Sequence, residues 1–220
     1  MKYRKLVENA KKPNGFWGKM MIKAMNKGHS SLTSWGLEHM NIERTATVLD
    51  IGCGGGKTVD RLCSIVANGK VYGIDYSELS VKSSEKLNSK NILCNKAKIL
   101  QASVSDMPFD DNTFDNITAV ETYYFWPDKE NDVKEVFRVL KQGGTVMLLF
   151  EMLRTDDDPF KWEKVENMLN IKSVTPQEIR SVLESAGFEN INTYTKPQHK
   201  NRRMMKTNEG FDYRRKFGHR

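Results

Sequence analysis

Val48-Leu-Asp-Ile-Gly-Cys-Gly-Gly-Gly56 is the stretch that decides the fold. It places an acid, Asp50, near the end of a short apolar run and then glycines at alternate positions 52, 54 and 56. A chain that leaves a strand, turns tightly beside a ligand and enters a helix needs glycine at such positions. The stretch therefore predicts a strand, a ligand-binding turn and a helix that starts near Gly56.

The spacing of these glycines separates two kinds of cofactor. A dinucleotide-binding loop carries its third glycine at the position that is Lys57 here. The spacing argues against a nicotinamide-dependent dehydrogenase, in which a pyrophosphate meets the start of the helix. It favours a cofactor whose methionine moiety lies along the loop.

Apolar runs alternate with helical patterns from about residue 45 to residue 195. This alternation is typical of a Rossmann-like, doubly wound α/β sheet that is mostly parallel. A helix over residues 129–140 is expected to stop at the glycine pair 143–144, and Thr175-Pro-Gln-Glu178 has the form of a helix-capping box. The predicted strands are Thr47–Ile51, Val71–Ile74, Lys98–Ala102, Phe114–Val120, Thr145–Phe150 and Phe188–Tyr194.

Two further segments carry side chains suited to an adenosine group. Asp75 follows the second strand, about 20 residues beyond the glycine loop, where a carboxylate can accept hydrogen bonds from ribose hydroxyls. Tyr76, directly after it, can stack on an adenine ring. In the stretch Ser105-Asp-Met107, the Asp106 carboxylate can accept a hydrogen bond from an adenine amino group, while backbone amides near Met107 can donate hydrogen bonds to the ring nitrogens.

Taken together, the motifs resemble one family. The glycine loop, Gly-Ile-Asp-Tyr-Ser77, Asp-Met-Pro-Phe109 and Arg-Val-Leu-Lys-Gln-Gly-Gly144 are similar to class I S-adenosylmethionine-dependent methyltransferases. The closest likeness is to the small-molecule branch that includes the ubiquinone and menaquinone biosynthesis enzymes. The resemblance covers about residues 45–195 and implies seven strands, one of them antiparallel, beneath an N-terminal helical lid. The cofactor residues that it implies are Asp50, Gly52, Cys53, Gly54, Gly56, Asp75, Tyr76, Ser77, Ser105, Asp106, Met107 and Glu121.

In such a fold the acceptor enters near the end of the fourth strand, where Glu121-Thr-Tyr-Tyr-Phe-Trp126 lies. The candidate substrate contacts are Trp17, Met21, His29, Tyr123, Tyr124 and Trp126. An oxygen or carbon acceptor must also lose a proton, for which Glu121, Tyr124 and His29 are the candidate bases. No set of residues with metal-ligand spacing stands out, so no metal is predicted.

The composition indicates which partners the chain can bind and in which compartment it works. The formal net charge is +7, yet residues 1–41 carry +6, residues 196–220 carry +7 and the segment between them is acidic. Basicity confined to the two ends makes nucleic-acid binding unlikely, because such binding usually needs a basic stripe beside the site. Three scattered cysteines indicate a cytoplasmic protein without disulfides, and no apolar run is long enough to span a membrane. A monomer or homodimer is expected.

These observations divide the chain into an N-terminal helical lid (1–44), a cofactor-binding domain (45–195) and a basic C-terminal tail (196–220). The tail lacks a clean apolar strand, so it is either a degenerate last strand or an altered terminus. The function predicted is methyl transfer to a small molecule, which leaves S-adenosylhomocysteine as the product. Methylation of RNA or protein stays open, as does a non-catalytic module that only binds the cofactor. The chain has no Pro-Cys dipeptide, which a cytosine C5 methylase needs for its nucleophile.

Overall fold

The computed structural model describes residues 7–154 and 163–196, together with the backbone of residues 208–214. Its centre is a sheet in the order β3-β2-β1-β4-β5-β7-β6. Strands β1 to β5 run parallel to one another, which confirms the Rossmann-like α/β class. The strands are β1 (Thr47–Ile51), β2 (Lys70–Asp75), β3 (Ala97–Gln101), β4 (Phe114–Val120), β5 (Leu140–Phe150), β6 (Glu189–Lys196) and β7 (Asn208–Arg214).

Helices cover both faces of this sheet, as expected where each parallel strand needs a crossover connection. Two apolar clusters form, one on each face, and the central strands β1, β4 and β5 contribute to both. Among the described residues, no helix has the length and apolar character needed to cross a membrane. The helices are α1 (Gly15–Gly28), α2 (Ser30–Leu37), α3 (Lys57–Ile65), α4 (Glu78–Leu87), α5 (Ser89–Leu93), α6 (Lys129–Val139), α7 (Glu163–Leu169) and α8 (Pro176–Ser185).

The glycine pair after α6 differs from its prediction. The helix ends at Val139 and β5 begins at once with Leu140, so Gly143 and Gly144 lie inside the strand. Gly143 has a φ of +75°, and the pairing of β4 with β5 shifts register between Phe114 and Asn116. The glycines therefore form an irregularity in the strand rather than the end of the helix. The capping box at Thr175 is confirmed, with both reciprocal hydrogen bonds to Glu178 present.

The end of the chain adds a strand to the sheet. The backbone of β7 runs antiparallel between β5 and β6, pairing Met147 with Asp212 and Asn192 with Asp212. This pairing gives residues 208–214 of the predicted tail a place in the sheet, although their sequence lacks a clean apolar run. The remaining tail residues, 197–207 and 215–220, lie outside the described part of the chain.

The two N-terminal helices pack in different ways. On α2, Leu32 is buried and Gly36 faces β5, where an added Cβ would come within 2.9 Å of Met147 Sδ. Helix α1 lies over the glycine loop, with Ile22 buried against Gly55. Most of α2 is therefore part of the layer that covers the sheet.

The contact between α2 and β5 is directly testable. Gly36→Val should lower the free energy of unfolding by about 1–3 kcal/mol, because its branched side chain overpacks the space beside Met147 and Leu149. Gly28→Val is the matched control, because no atom lies within 4 Å of a Cβ at Gly28. Urea denaturation of the two variants measures the difference. Equal stabilities would show that α2 does not depend on close packing at this point.

Candidate active site

A cavity of about 580 Å³ lies at the carboxyl ends of the parallel strands. In a parallel sheet, strand-to-helix loops converge at this edge, and ligands bind where neighbouring loops diverge. The volume falls within the usual range for small-molecule sites. The cavity runs from the glycine loop and Asp75 to the segment after β4, and residues around α1 and α2 line its outer wall.

The glycine loop meets the cavity at Gly54. This residue has a φ of +51°, and an added Cβ would find only the carbonyl of Gly52, 4.0 Å away. A side chain there would project into open space in the cavity wall. Gly56 serves a different purpose, because a Cβ at that position would collide with Ser84 and Asn88 of α4. Gly52, Cys53 and Gly54 line the cavity, and Gly56 instead lets α4 pack closely.

Asp75 joins the end of β2 to this loop. Its carboxylate accepts hydrogen bonds from the amides of Gly54 (2.9 Å) and Ser77 (2.8 Å) and lines the cavity. Burial raises the pKa of Asp75, although the two backbone amides act in the opposite direction. Tyr76 also lines the cavity, and burial raises its pKa to about 12. Ser77 lies behind the wall, where its hydroxyl donates to the carbonyl of Pro13.

Asp50 is more deeply placed than the sequence suggests. Its side chain is 2% exposed, lies outside the cavity lining and accepts a 2.7 Å hydrogen bond from the hydroxyl of Thr118. Burial raises its pKa to about 7, against the effect of Thr118. Asp50 therefore supports the loop from within the sheet and does not touch a ligand in the cavity.

The loop after β3 requires a correction. Ala102, Ser103 and Val104 line the cavity, and the predicted residues Ser105, Asp106 and Met107 do not. Strand β3 ends at Gln101, so the chain crosses the cavity immediately after the strand. Beyond that point the chain turns towards α6, where the amide of Met107 donates to Glu135.

The aromatic segment after β4 divides between the core and the cavity. Tyr124 and Trp126 line the cavity, as does Phe125, whereas Tyr123 is 1% exposed and packs against Phe150. Tyr123, predicted as a substrate contact, therefore lies in the core and outside the cavity lining. A 3-10 turn over Tyr123–Phe125 sends neighbouring side chains in different directions.

Tyr124 is held as a hydrogen-bond donor. Its hydroxyl accepts from the amides of Glu151 (3.2 Å) and Met152 (3.0 Å) and donates to Glu121 Oε2 (3.2 Å). Burial raises the pKa of Tyr124 well above its usual value. Tyr124 thus orients Glu121 and is not placed to act as a base.

The outer wall comes from the end of α1 and the start of α2. His29 lines the cavity together with Met25, Asn26, Ser30 and Thr33. The predicted contacts Trp17 and Met21 lie one to two turns earlier on α1 and do not reach the cavity. Trp17 instead packs edge-on against Phe16.

Three polar side chains meet where the segment after β4 approaches the junction of α1 and α2. One nitrogen of His29 and one carboxylate oxygen each of Glu121 and Glu151 lie within 4.8 Å of one another. His29 Nε2 is 4.0 Å from Glu151 Oε2. The sequence does not single out Glu151, because an acid directly after the apolar strand β5 belongs to no distinctive motif.

Comparison with known proteins identifies the family. Residues 49–148 match the family described as "Methyltransferase domain". The chain is 30% identical over 177 residues to the ubiquinone/menaquinone biosynthesis C-methyltransferase UbiE of Cronobacter sakazakii, an alignment that spans 70% of each protein. The chain belongs to the class I S-adenosylmethionine-dependent methyltransferases.

Other methyltransferases resemble the chain over much of its length. The methyltransferase YdaC of Bacillus subtilis is 25% identical over 163 residues, which are 74% of this chain and 82% of YdaC. A crystal structure of an S-adenosylmethionine-dependent methyltransferase from Aquifex aeolicus superimposes with a TM-score of 0.70. It is 22% identical and covers 88% of this chain and 96% of its own, so it supports the fold alone.

The cavity of this methyltransferase fits S-adenosylmethionine. The open space at Gly54 accommodates a ligand that passes close to the backbone, and the Asp75 carboxylate beside it is an acceptor for hydroxyl groups. Tyr76 adds an aromatic ring at the same end. Gly52, Cys53, Gly54, Asp75 and Tyr76 are therefore the residues that would hold the cofactor.

Gly54→Val should abolish cofactor binding, because the branched side chain occupies the cofactor's path. Gly15→Val is a matched control: Gly15 has a similar φ of +57° and no atom within 4 Å of its added Cβ. Both variants carry the same kind of backbone strain, but only one of them fills the cavity. Calorimetric titration with S-adenosylmethionine, alongside circular dichroism, measures the effect. Retained binding in a folded Gly54→Val protein would remove the loop from the cofactor site.

The buried carboxyl of Asp50 predicts a pH-dependent stability. Its folded pKa of about 7 lies above its usual value, so the folded protein holds a proton that the unfolded chain has lost. The contribution of Asp50 to the free energy of unfolding is therefore most favourable at low pH and decreases as the pH rises from about 4 to about 7. Between pH 5 and pH 8, wild type should lose about 1–3 kcal/mol more unfolding free energy than Asp50→Asn.

Urea denaturation across this pH range tests the effect. Asp110→Asn provides the control, because Asp110 is exposed. The pH dependence of its free energy of unfolding should follow that of wild type. If the curve for Asp50→Asn runs parallel to both, the raised pKa is not that of Asp50.

Proposed function

We propose that this methyltransferase acts on a small molecule held between the segment after β4 and the end of α1. One observation carries the proposal: a single cavity extends from the cofactor loop at Gly54 and Asp75 to Glu121, Trp126 and His29. Methyl transfer in line needs donor and acceptor in one enclosed space, aligned and shielded from water. The acceptor therefore binds at the end of the cavity opposite Asp75.

The residues at the cofactor end have separate tasks. The Asp75 carboxylate would accept hydrogen bonds from the ribose hydroxyls, and Tyr76 and the Ser103–Val104 backbone would hold the adenine. The glycine loop lies along the methionine portion. When bound, S-adenosylmethionine supplies an electrophilic methyl group, and its transfer to the acceptor leaves S-adenosylhomocysteine and releases a proton.

The proton leaves the acceptor towards His29, Glu121 and Glu151. A general base must lie within hydrogen-bonding reach of the proton that it removes, directly or through one water. His29 and Glu121 line the cavity, and Tyr124 fixes the direction of the Glu121 carboxylate. Of the three bases expected from the sequence, Glu121 and His29 keep this role, and Tyr124 becomes a positioning residue.

The wall at this end suits an acceptor with an apolar ring or chain. Trp126 lines the cavity and donates its indole N–H to Thr122 Oγ1 at 2.8 Å, which fixes the ring in place. Phe125 and Met25 complete an apolar surface beside the polar cluster. The similarity to UbiE, an enzyme of ubiquinone and menaquinone biosynthesis, supports a quinol-like acceptor. A cytoplasmic location agrees with the unpaired cysteines 53, 63 and 94.

We expect α1 alone, and not the whole of residues 1–44, to close over the acceptor. Helix α2 is held in the core, and the segment before α1 is attached to the start of α4 through the hydrogen bond from Ser77 to the carbonyl of Pro13. Between these two attachments, α1 contacts the loop through a 3.4 Å hydrogen bond from Asn26 to Gly55. Movement of α1 alone would open and close the acceptor end.

Turnover tests this function. The protein, with S-adenosylmethionine, should form S-adenosylhomocysteine with a panel of quinols, phenols and amino acids, and not with total RNA or unfolded protein. His29→Ala should lower kcat by about 100-fold or more while cofactor affinity is retained, because a general base typically contributes this much.

His39→Ala is the matched control, because its Nδ1 is bonded to the carbonyl of Trp35 and His39 lies outside the cavity. Turnover restricted to RNA or protein would contradict the small-molecule proposal. Cofactor binding without turnover on any acceptor would favour a non-catalytic module.

A further inference from the structure

We propose that His29, Glu121 and Glu151 form a binding site for one divalent metal ion at the acceptor end of the cavity. This inference rests on the proposed function for its role in catalysis, but not for its existence. The observation behind it is the convergence of one imidazole nitrogen and two carboxylate oxygens within 4.8 Å of one another.

The distances suit an ion. Transition-metal ligands lie about 2.0–2.2 Å from the ion, so two ligands of the same ion are at most about 4.4 Å apart. His29 Nε2 and Glu151 Oε2 are 4.0 Å apart. This separation is longer than a hydrogen bond and within the span of one coordination sphere, and the three ligand atoms together, within 4.8 Å, would have to move slightly closer to bind one ion.

Separate elements bring the three residues together. Glu121 and Glu151 each follow a strand, and β4 and β5 are parallel neighbours, so their ends meet at one edge of the sheet. The amide of Glu121 donates to the carbonyl of Leu149 at 2.9 Å, which sets the two strand ends in register. His29 comes from the junction of α1 and α2 and approaches from the outer wall.

A neighbouring hydroxyl orients one of these ligands. The Tyr124 hydroxyl is fixed by the amides of Glu151 and Met152 and donates to Glu121 Oε2. Carboxylates that bind metals are commonly held by such outer hydrogen bonds. Tyr124 therefore has a defined part in the site without contacting the ion.

The ligand set indicates the kind of ion and acceptor. One imidazole and two carboxylates suit Mn²⁺, Fe²⁺ or Zn²⁺ better than Ca²⁺, which takes oxygen ligands only. Three protein ligands leave coordination positions open, as in catalytic metal sites. Since His29 and Glu121 line the cavity, an acceptor hydroxyl could occupy such a position, where the ion would favour its ionised form and the proton would pass to water. With the ion bound, the three side chains would act as ligands and not as the base. The acceptor class is thus a phenol, enol or other hydroxyl compound.

Manganese binding tests the site without any activity measurement. The purified protein is treated with a chelator, dialysed and titrated with Mn²⁺, and free Mn²⁺ is followed by electron paramagnetic resonance. One ion should bind per chain. His29→Ala, Glu121→Gln and Glu151→Gln should each weaken binding at least tenfold, and Tyr124→Phe about tenfold, as loss of an outer-shell partner does.

Matched controls use the same residue types outside the cluster. Glu38→Gln, at an exposed position, and His39→Ala should bind Mn²⁺ as wild type does. Absence of saturable Mn²⁺ binding, or binding equal in the cluster variants and the controls, would overturn the proposal. The protein could instead bind dimethylamine saturably and not bind Mn²⁺, with dimethylamine binding lost in Glu121→Gln. That result would also overturn the metal site and assign the cluster to a cationic acceptor.

A parallel titration with S-adenosylmethionine separates this inference from the proposed function. His29→Ala and Glu151→Gln should keep wild-type cofactor affinity, because the glycine loop and Asp75 lie at the other end of the cavity. If the wild-type protein does not bind S-adenosylmethionine, that result contradicts methyl transfer and leaves the Mn²⁺ result valid. Methyl transfer by a chelator-treated protein that binds no Mn²⁺ would leave the proposed function standing and overturn the metal site.

Discussion

The hydrogen bond from the Gly54 amide to the Asp75 carboxylate is the constraint on which the site depends. At 2.9 Å, it ties the loop after β1 to the end of the neighbouring strand β2. The same carboxylate accepts from the amide of Ser77, which caps α4. One buried acid thus sets the relative positions of a loop, a strand and a helix, and it presents its edge to the cavity. A hydrogen bond to a charged acceptor is stronger than a neutral one, which suits this role.

The same arrangement has an energetic cost. Asp50 and Asp75 are both buried at the ends of adjacent strands, and the charge of Asp75 contributes to the raised pKa of Asp50. Burial and both carboxylates raise the pKa of the Cys53 thiol. Desolvated like charges oppose folding. The core clusters on the two faces of the sheet must therefore offset this repulsion, which is localised where the cofactor binds.

The sequence predicts the regular elements well because their periodicity is local. The bounds of β1 and β4 agree with the structure, and the capping box at Thr175 is present. The glycine loop and Asp75 also reach the cavity, since both are defined by their position at a strand end. The β7 strand was harder to predict, because backbone pairing with β5 and β6 can place a strand whose sequence has little apolar pattern.

Side-chain direction is where sequence reasoning fails, and each failure has a geometric cause. Ser105 to Met107 lie outside the cavity because β3 ends at Gln101, so the cavity is crossed earlier than expected. The apolar character of Trp17 and Met21 predicts substrate contacts, yet the cavity meets α1 one to two turns later. Glu151 escaped notice because an acid after a long apolar strand has no distinctive motif. Only the pairing of β4 with β5 brings it to Glu121.

The backbone at Glu121 explains how one short segment serves both the core and the cavity. Glu121 has a φ of +58°, a conformation that non-glycine residues rarely adopt and that costs of order 1–3 kcal/mol. This left-handed residue ends β4 abruptly and leads into the 3-10 turn over Tyr123–Phe125. The turn buries Tyr123 and brings the Tyr124 hydroxyl back to the Glu121 carboxylate. A residue with an ordinary strand conformation would carry the chain past this point, away from His29 and Glu151. The strain at Glu121 is thus the condition under which an acid from β4, an acid from β5 and a histidine from the outer wall can meet.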